Sequence, residues 1–306
     1  PSGVILGPGD DCAVLEGGWV VSTDLSVEGV HFCRDWITLD EAGFRATSAA
    51  LSDLAAMAAE PVGVLISLAF DTAGFEVEGA LFQQGVSEAC KGAGVQILGG
   101  DLSRSPGPTF VNVVALGRAE APISRSGTEV GDELWVTGHL GGAAGAVVSW
   151  GRGGEPPDPL RRCFTRPRPR IEEALWLADR IEIHGLIDLS DGLAGDAGHL
   201  AAAAGVAVVL EASAIPVHPS LAGVVKPPGE ALRLALAGGE DFELAFSVPS
   251  GALDEMVDSF QDSFGLPLTR VGQAEAGEGL SLIGPDGMQM PLAPHGFSHF
   301  PSEEDM

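Results

Sequence analysis

Residues 38–61 read TLDEAGFRATSAALSDLAAMAAEP, and residues 62–70 read VGVLISLAF. In the first stretch Thr38 and Glu41 have capping-box spacing, the middle is rich in Ala and Leu, and Pro61 cannot continue a helix. We therefore predict a helix over 38–60. The second stretch is rich in Val, Ile and Leu, which predicts a buried strand. A similar strand pattern at 19–23 precedes the helix, so strands and helices alternate from the start.

The same alternation continues outward in both halves of the chain. The remaining predicted helices cover 77–91, a Gly/Ala stretch through 148, 171–180, 193–204, 230–236 and 253–264, and the predicted strands cover 95–98, 110–116, 134–137, 186–189, 206–211, 242–248 and short pieces of 268–290. A turn-rich stretch over 117–132 suggests a boundary, and the Gly-, Pro- and Arg-rich segment 151–170 is typical of an exposed connection. We predict a mixed α/β (α+β) fold of two domains, 1–120 and 121–306.

The composition is that of a folded but strongly acidic protein. The chain has 306 residues, of which 45% are hydrophobic, and its 43 acidic and 16 basic residues give a formal net charge of −27. Nucleic acid and anionic membrane surfaces are therefore unlikely partners, because both bind through basic patches. A phosphate-rich ligand would need its charge neutralised by something else, and divalent cations are the obvious candidates.

Cysteine and lysine usage adds two further indications. The four cysteines are widely spaced, which disfavours structural zinc or a disulfide scaffold and favours reduced thiols in a cytoplasmic protein. No signal peptide or membrane span is expected from the sequence. Only two lysines accompany fourteen arginines. Adaptation to high salt and a GC-rich genome explain that bias equally well.

Acidic residues gather in short clusters flanked by Gly or Ser. These clusters are Gly9-Asp10-Asp11, Ser22-Thr23-Asp24, Ser52-Asp53, Gly99-Gly100-Asp101, Asp188-Leu189-Ser190-Asp191-Gly192 and Gly238-Gly239-Glu240-Asp241. Carboxylates are hard oxygen ligands suited to Mg²⁺, and small neighbours let a ligand approach the backbone. Each cluster alone is ordinary turn chemistry. Asp53 differs, because an acid among apolar residues of a helix is costly unless it is paired, metal-bound or on an exposed face.

Several common catalytic signatures are missing. No Gly-Lys-Ser/Thr loop is present, no Gly-x-Ser-x-Gly elbow, and no His-Arg-Asp or Asp-Phe-Gly pair. The sequence therefore does not support Walker-type nucleotide binding, Ser-His-Asp hydrolysis or protein-kinase chemistry.

Taken together and in order, the acidic clusters resemble the thiamine-monophosphate kinase family. The first half contributes Gly9-Asp10-Asp11-Cys12-Ala13-Val14, Ser22-Thr23-Asp24, Val27-Glu28-Gly29-Val30-His31-Phe32, Leu51-Ser52-Asp53-Leu54, Gly99-Gly100-Asp101 and Ser124-Arg125-Ser126-Gly127. The second half contributes Asp188-Leu189-Ser190-Asp191-Gly192-Leu193, Gly238-Gly239-Glu240-Asp241-Phe242-Glu243-Leu244 and His295-Gly296-Phe297-Ser298-His299-Phe300.

This resemblance implies ATP-dependent phosphorylation of thiamine monophosphate to thiamine diphosphate, the final step of thiamine diphosphate biosynthesis. It also implies several Mg²⁺ ions, no covalent intermediate, and a homodimer whose N-terminal domains pair their sheets into a barrel-like core. The implied metal ligands are Asp11, Ser22, Thr23, Asp24, Asp53, Asp101, Asp188 and Asp191. The implied ATP contacts are Gly100, Asp101, Arg125 and Ser190, and the implied substrate contacts are His31, Glu240 and Phe297.

The chain departs from the family pattern at a few positions. Leu25 and Leu102 stand where the family usually has Thr, Ala50 where it has Asn, and Phe297 where a more polar aromatic is common. Two alternatives stay open at this level: another enzyme of the same ATP-binding superfamily, or a non-catalytic nucleotide- or metal-binding regulator. A selenophosphate synthetase would need a reactive cysteine in a Gly-rich start, whereas Cys12 reads as a packing residue.

Overall fold

The computed structural model describes residues 3–70 and 75–293, and the chain divides into two compact units. The first unit comprises the residues up to Ser124 together with Arg162–Asp188, and the second comprises Arg125–Arg161 and the residues from Leu189 onward. The domain limits 1–120 and 121–306 stay a prediction, to which the compact units add that 162–188 packs with the first unit.

Both halves of the described chain contain strands and helices, so the predicted mixed α/β class is confirmed. The strands are β1 (Val4–Leu6), β2 (Ala13–Leu15), β3 (Trp19–Val27), β4 (Glu60–Phe70), β5 (Gln96–Arg104), β6 (Phe110–Arg118), β7 (Glu133–Thr137), β8 (Gly185–Asp188), β9 (Ala207–Glu211), β10 (Leu244–Val248), β11 (Leu268–Glu275), β12 (Gly279–Ile283) and β13 (Gln289–Pro291). The helices are α1 (Leu39–Ala55), α2 (Phe75–Gly92), α3 (Gly142–Gly151), α4 (Asp158–Thr165), α5 (Ile171–Ala178), α6 (Leu193–Ala204), α7 (Pro228–Ala237) and α8 (Val257–Phe264).

The first unit is built on a sheet with the strand order β1-β2-β3-β6-β4-β5. Neighbouring strands are antiparallel except β4 and β5, which are parallel and joined through α2. Helices α1 and α2 pack closely, because Gly85 of α2 has no side chain to separate them. A Cβ at this position would lie 1.7 Å from the carbonyl oxygen of Asp40 on α1. The core beneath them contains Phe70 and Phe82, whose rings meet edge to face at 6.1 Å.

Helix α1 begins as its sequence predicts and ends earlier. The backbone N–H of Thr38 donates to the Glu41 carboxylate at 2.9 Å, which is one half of the capping box. The prediction of a helix as far as residue 60 is wrong, since α1 stops at Ala55. Ala58 adopts a left-handed backbone with φ of 48°, and this turn leads the chain into β4.

In the second unit the strands lie in the order β13-β12-β9-β11-β7-β10. Most pairs are antiparallel, and β9 and β12 are parallel. The prediction of an exposed connection over 151–170 is wrong, because this segment contains α4. Its Leu160 and Phe164 are buried, so tertiary packing orders a stretch whose Pro and Arg content is typical of a loop.

The described residues were also expected to contain no membrane-spanning helix and no disulfide. Among them, no helix combines the length and apolar character needed to cross a membrane. All four cysteines are free thiols.

Candidate active site

Three aspartates from distant parts of the first unit meet in one cluster. Asp11 lies in the turn between β1 and β2, Asp53 in the last turn of α1, and Asp188 at the end of β8. Each offers a carboxylate oxygen, and these oxygens all lie within 4.8 Å of one another. We call this set the three-carboxylate cluster.

Hydroxyl groups orient two of these carboxylates. Ser22 on β3 donates a hydrogen bond to Asp53. Ser52 on α1 donates to Oδ2 of Asp188 at 2.6 Å. Both serines are buried, so their hydroxyls would be costly to leave without these acceptors.

Burial and the crowding of like charges raise pKa values in the cluster. Burial and the neighbouring Asp188 raise the pKa of Asp53 well above its ordinary value, while the hydrogen bond from Ser22 opposes that rise. Burial and the charge of Asp53 likewise raise the pKa of the Cys12 thiol, whose Sγ donates to the backbone oxygen of Asp53 at 3.2 Å. Cys12 is therefore a packing residue, and a cation bound by the carboxylates would relieve their repulsion.

A buried arginine accompanies this region. Asp24 follows Ser22 on the same face of β3, and its charge contributes to the raised pKa of Asp53. Arg45 of α1 donates to the backbone oxygen of Phe164 at 2.9 Å and lies 3.8 Å from the centre of that ring. Burial lowers the pKa of Arg45 to about 9, and Asp24 opposes this. Sequence reasoning missed Arg45, although an arginine inside an apolar helix is a usable signal.

Two further implied ligands lie on the opposite face of the sheet. The Thr23 hydroxyl is exposed and donates to Oδ1 of Asn112 at 2.9 Å. Asp101 is exposed on β5. Residues that pair across neighbouring strands lie on the same face of a sheet, and Asp101 pairs with Ser67 on β4, Ser67 with Asn112 on β6, and Asn112 with Leu25 on β3. Asp101 therefore lies on the same sheet face as Leu25. Among the described residues, neither Thr23 nor Asp101 belongs to the three-carboxylate cluster.

Gly100, beside Asp101, can only be glycine in this backbone. Its φ is +159°, and a Cβ would lie 1.9 Å from the backbone oxygen of Ile66 on β4. Glycine is therefore required here for steric reasons. The missing side chain also leaves the edge of β5 open for a ligand to approach the backbone.

His31 lies in the turn that follows β3. Its Nδ1 accepts a hydrogen bond from the backbone N–H of Val27 at 3.0 Å. A neutral ring in this arrangement carries its proton on Nε2, so it presents a donor. The turn is braced by Arg34, whose Nε lies 3.0 Å from the Glu28 carboxylate.

In the second unit, two loops that carry implied site residues are joined by backbone hydrogen bonds. Glu240 N–H donates to the oxygen of Ser190 at 2.8 Å, and Phe242 N–H donates to the oxygen of Leu189 at 2.9 Å. Glu240 and Phe242 both have left-handed backbones, with φ of 66° and 49°. Strain of this kind is characteristic of functional loops. Arg125 lies in a single 3₁₀ turn, Arg125–Gly127, that packs against α6.

Two aspartates to which sequence reasoning assigned no role support these loops. Oδ2 of Asp196 accepts hydrogen bonds from the backbone N–H groups of Asp191 and Gly192. Oδ2 of Asp241 accepts from Gly141 N–H at 2.7 Å, at the start of α3. The residue is partly exposed, yet desolvation of its carboxylate raises its pKa to about 7, with a smaller rise from Glu243 and an opposing effect of the α3 N–H groups. Phe297, the third implied substrate contact, lies outside the described residues.

Comparison with known proteins agrees with this organisation. Residues 9–119 match the N-terminal domain of AIR synthase related protein, and residues 129–285 match its C-terminal domain. A thiamine-monophosphate kinase of Rhodopirellula baltica is 34% identical over 90% of this chain and 85% of its own, and that of Escherichia coli K12 is 36% identical over 97% and 92%. The solved structure of AaThiL complexed with AMPPCP and TMP is 30% identical, covers 95% of this chain and 91% of its own, and has a TM-score of 0.82.

Proposed function

Because the chain belongs to the thiamine-monophosphate kinase family, we propose that it transfers the γ-phosphoryl group of ATP directly to thiamine monophosphate, assisted by several Mg²⁺ ions. The product pair is thiamine diphosphate and ADP. The observation that carries the chemical part of this proposal is the three-carboxylate cluster, to which Asp11, Asp53 and Asp188 each contribute.

The relatives support the choice of substrates. Those from Rhodopirellula baltica and Escherichia coli are thiamine-monophosphate kinases and exceed 30% identity over most of both chains. AaThiL was solved complexed with AMPPCP and TMP. We assign the same substrate pair to this chain.

The donor set of the cluster fits Mg²⁺. Three carboxylates within 4.8 Å of one another offer hard oxygen ligands, and two of them are held by serine hydroxyls. We assign Asp11, Asp53 and Asp188 to the metals, together with Ser22 and Asp24. Thr23, Asp101 and Asp191, which do not belong to the cluster among the described residues, are assigned to further Mg²⁺ ions. When bound, Mg²⁺ supplies charge neutralisation on the transferred phosphoryl group and alignment of the phosphates.

The reaction needs no strong general base. An ionised phosphate oxygen of thiamine monophosphate forms the new bond to the γ-phosphorus, and the bond from that phosphorus to the β,γ-bridging oxygen breaks as ADP leaves. The attacking oxygen carries no proton to remove. This agrees with a site made of carboxylates, in which the raised pKa of Asp53 reflects crowding and burial. No phosphoenzyme is expected.

The remaining roles are those that the family resemblance implies, and the chemistry of the residues is compatible with them. Arg125 supplies positive charge for the nucleotide phosphates, and Gly100 and Ser190 offer backbone and hydroxyl contacts to ATP. His31, with its proton on Nε2, and Glu240 are assigned to thiamine monophosphate, as is the ring of Phe297.

We also propose that two copies of this chain associate through the sheet of the first unit. Every residue of the edge strand β5 is exposed, and Leu25 on β3 and Leu65 on β4 are exposed on the sheet face that also carries Asp101. An exposed apolar face beside an open strand edge is typical of an association surface. Leu65→Asp should shift the mass found by light scattering from dimer towards monomer, whereas Val77→Asp, at an exposed valine of α2, should not. A wild-type monomer would contradict the dimer.

The experiment that tests the activity is direct product analysis. Purified protein with ATP, Mg²⁺ and thiamine monophosphate should yield thiamine diphosphate and ADP in equal amounts, and Asp53→Asn should slow the formation of both by about 10²-fold or more. Asp35→Asn, at an exposed aspartate of the same unit, is the matched control and should retain turnover. Nucleotide binding without turnover would favour the regulator instead, and turnover with a different acceptor would favour another member of the superfamily.

A further inference from the structure

A buried carboxylate in the second unit has no role in the proposed reaction as described so far. Asp196 lies in the first turn of α6 and is 2% exposed. Its Oδ2 lies 3.2 Å from the backbone nitrogen of Asp191 and 3.1 Å from that of Gly192. A buried carboxylate is retained only where such hydrogen bonds offset its desolvation.

The loop that receives these bonds has nearly all of its backbone polar groups accounted for. Leu189 donates to the oxygen of Glu243 at 2.7 Å, and Gly192 accepts from Asp196 N–H at 3.0 Å. The carbonyl oxygens of Leu189 and Ser190 accept from the neighbouring Glu240 loop. The Asp196 carboxylate therefore holds the N–H groups of Asp191 and Gly192. The N–H groups of Glu240 and Phe242 hold the carbonyl oxygens of Ser190 and Leu189.

Steric constraints remove the remaining freedom. Gly192 has φ of +102°, and a Cβ there would lie 2.8 Å from the backbone oxygen of Leu236. A Cβ at Gly239 would lie 2.6 Å from the oxygen of Ser190. The loop is thus confined on both sides, and the side chains of Ser190 and Asp191 project from a fixed backbone.

We propose that Asp196 is a positioning residue, whose carboxylate sets the direction in which Asp191 meets a metal ion. The inference rests on the proposed function, which assigns Asp191 to a metal. Asp196 acts on Asp191 through the backbone N–H groups of Asp191 and Gly192. Residues that orient metal ligands from behind typically contribute about 10–100-fold to metal affinity or activity.

The test measures Mg²⁺-dependent binding of AMPPCP by calorimetry, so that no turnover is needed. Asp196→Ala should raise the Mg²⁺ concentration for half-maximal AMPPCP binding by about 10–100-fold. Asp196→Asn keeps an oxygen that accepts both N–H groups but lacks the charge, so its rise should be smaller, about three- to tenfold.

The matched control is Asp132, another buried aspartate of the second unit. Its carboxylate accepts from Glu129 N–H at 2.7 Å in a turn outside the implied site. Asp132→Ala should lower the melting temperature as Asp196→Ala does, with half-maximal Mg²⁺ within about twofold of wild type, the usual additivity error. A purely structural role for Asp196 would make the two variants behave alike.

A double-mutant cycle asks whether Asp196 acts through Asp191. In an Asp191→Ala background, Asp196→Ala should change the Mg²⁺ dependence by no more than about twofold. A full effect of Asp196→Ala in that background, or an unchanged Mg²⁺ dependence in the single variant, overturns the proposal. If Asp196→Ala does not fold, an unchanged Mg²⁺ dependence in Asp196→Asn overturns it equally.

Thiamine monophosphate phosphorylation by the wild-type protein is assayed alongside. Missing turnover together with Asp196-dependent Mg²⁺–AMPPCP binding rejects the substrate assignment and supports the positioning role. Normal turnover with Mg²⁺ dependence that ignores Asp196 supports the proposed function and rejects the positioning role.

Discussion

Asp11, Asp53 and Asp188 place three carboxylates within 4.8 Å of one another in the first unit, whereas Asp196 and Asp241 in the second unit each face backbone N–H groups. In the first set, burial and the mutual repulsion of the carboxylates together raise the pKa of Asp53. In the second set, backbone donors offset part of the cost of burying each carboxylate. The first arrangement is suited to reversible binding of a cation, and the second is suited to holding a loop in a fixed conformation.

The largest effect should come from removing one carboxylate of the cluster. Asp53→Asn should lower kcat by about 10²-fold or more, as loss of a preorganised charge-stabilising group does. Because it also relieves repulsion, the melting temperature without metal should not fall. Steady-state kinetics and calorimetry in EDTA check both, and a variant that keeps its turnover would remove the distinction between the two regions.

Adding Mg²⁺ should relieve the repulsion in the three-carboxylate cluster and so raise the melting temperature. Ions at 100 times their dissociation constant stabilise the folded state by about 2.7 kcal/mol, or roughly 5–10 °C for units of this size. The pKa of Asp53 is raised by burial and Asp188, so the metal-free native state binds more protons than the unfolded chain above the ordinary pKa of Asp. Stability without metal should therefore fall as pH rises towards neutral, and Mg²⁺ should flatten that dependence. Identical pH profiles of the melting temperature with and without Mg²⁺ would contradict this.

Asp241 sharpens the comparison, because its backbone donors do not fully offset its desolvation. Its pKa is raised to about 7 from an ordinary 3.8, mainly by burial. Between these values the native state holds a proton that the unfolded chain has lost, so the stability of wild type relative to Asp241→Asn should decline from about pH 4 to about pH 7. The decline should be at most about 4 kcal/mol. Denaturant titrations of both proteins across that pH range measure the decline. A difference in unfolding free energy that does not change with pH would mean that the N–H groups of α3 fully offset the desolvation of Asp241.

The smallest effect is general to the surface. Self-repulsion among the 43 acidic residues opposes the compact state, and KCl screens it over roughly 10 Å at 0.1 M and 3 Å at 1 M. The melting temperature should rise with KCl, by the same amount in wild type and Asp53→Asn, since buried charges are screened least. A flat or falling response would favour genome composition over salt adaptation as the reason for the scarce lysines.

Local signals predicted most elements because they depend on nearby residues. The capping-box pair Thr38 and Glu41 places the start of α1, and helix 193–204 is observed with the limits that its pattern predicts. Local patterns failed where tertiary burial or a backbone turn decided the structure. Helix α4 is ordered by burial of Leu160 and Phe164, and α1 ends at Ala55 because the chain turns at Ala58 into β4.

The candidate site divides along the same line. Gly-flanked acids could be recognised in the sequence, since their residue types and order resemble one family. Which of them meet could not, because Ser52 and Asp188 are 136 positions apart and nothing local encodes their 2.6 Å hydrogen bond. The roles of Asp196 and Asp241 could not be predicted for the same reason: their partners are backbone N–H groups, which every sequence contains.

The sequence by itself therefore determined the fold class, the negative charge that calls for divalent cations, and the set of acids available to hold them, because these follow from composition, periodicity and short motifs. Only the tertiary structure decided that Asp11, Asp53 and Asp188 come together while Thr23 and Asp101 lie on the other face of the sheet. The physical reason is that strand register and helix packing are set by long-range burial, and a single step along a strand moves a side chain to the opposite face.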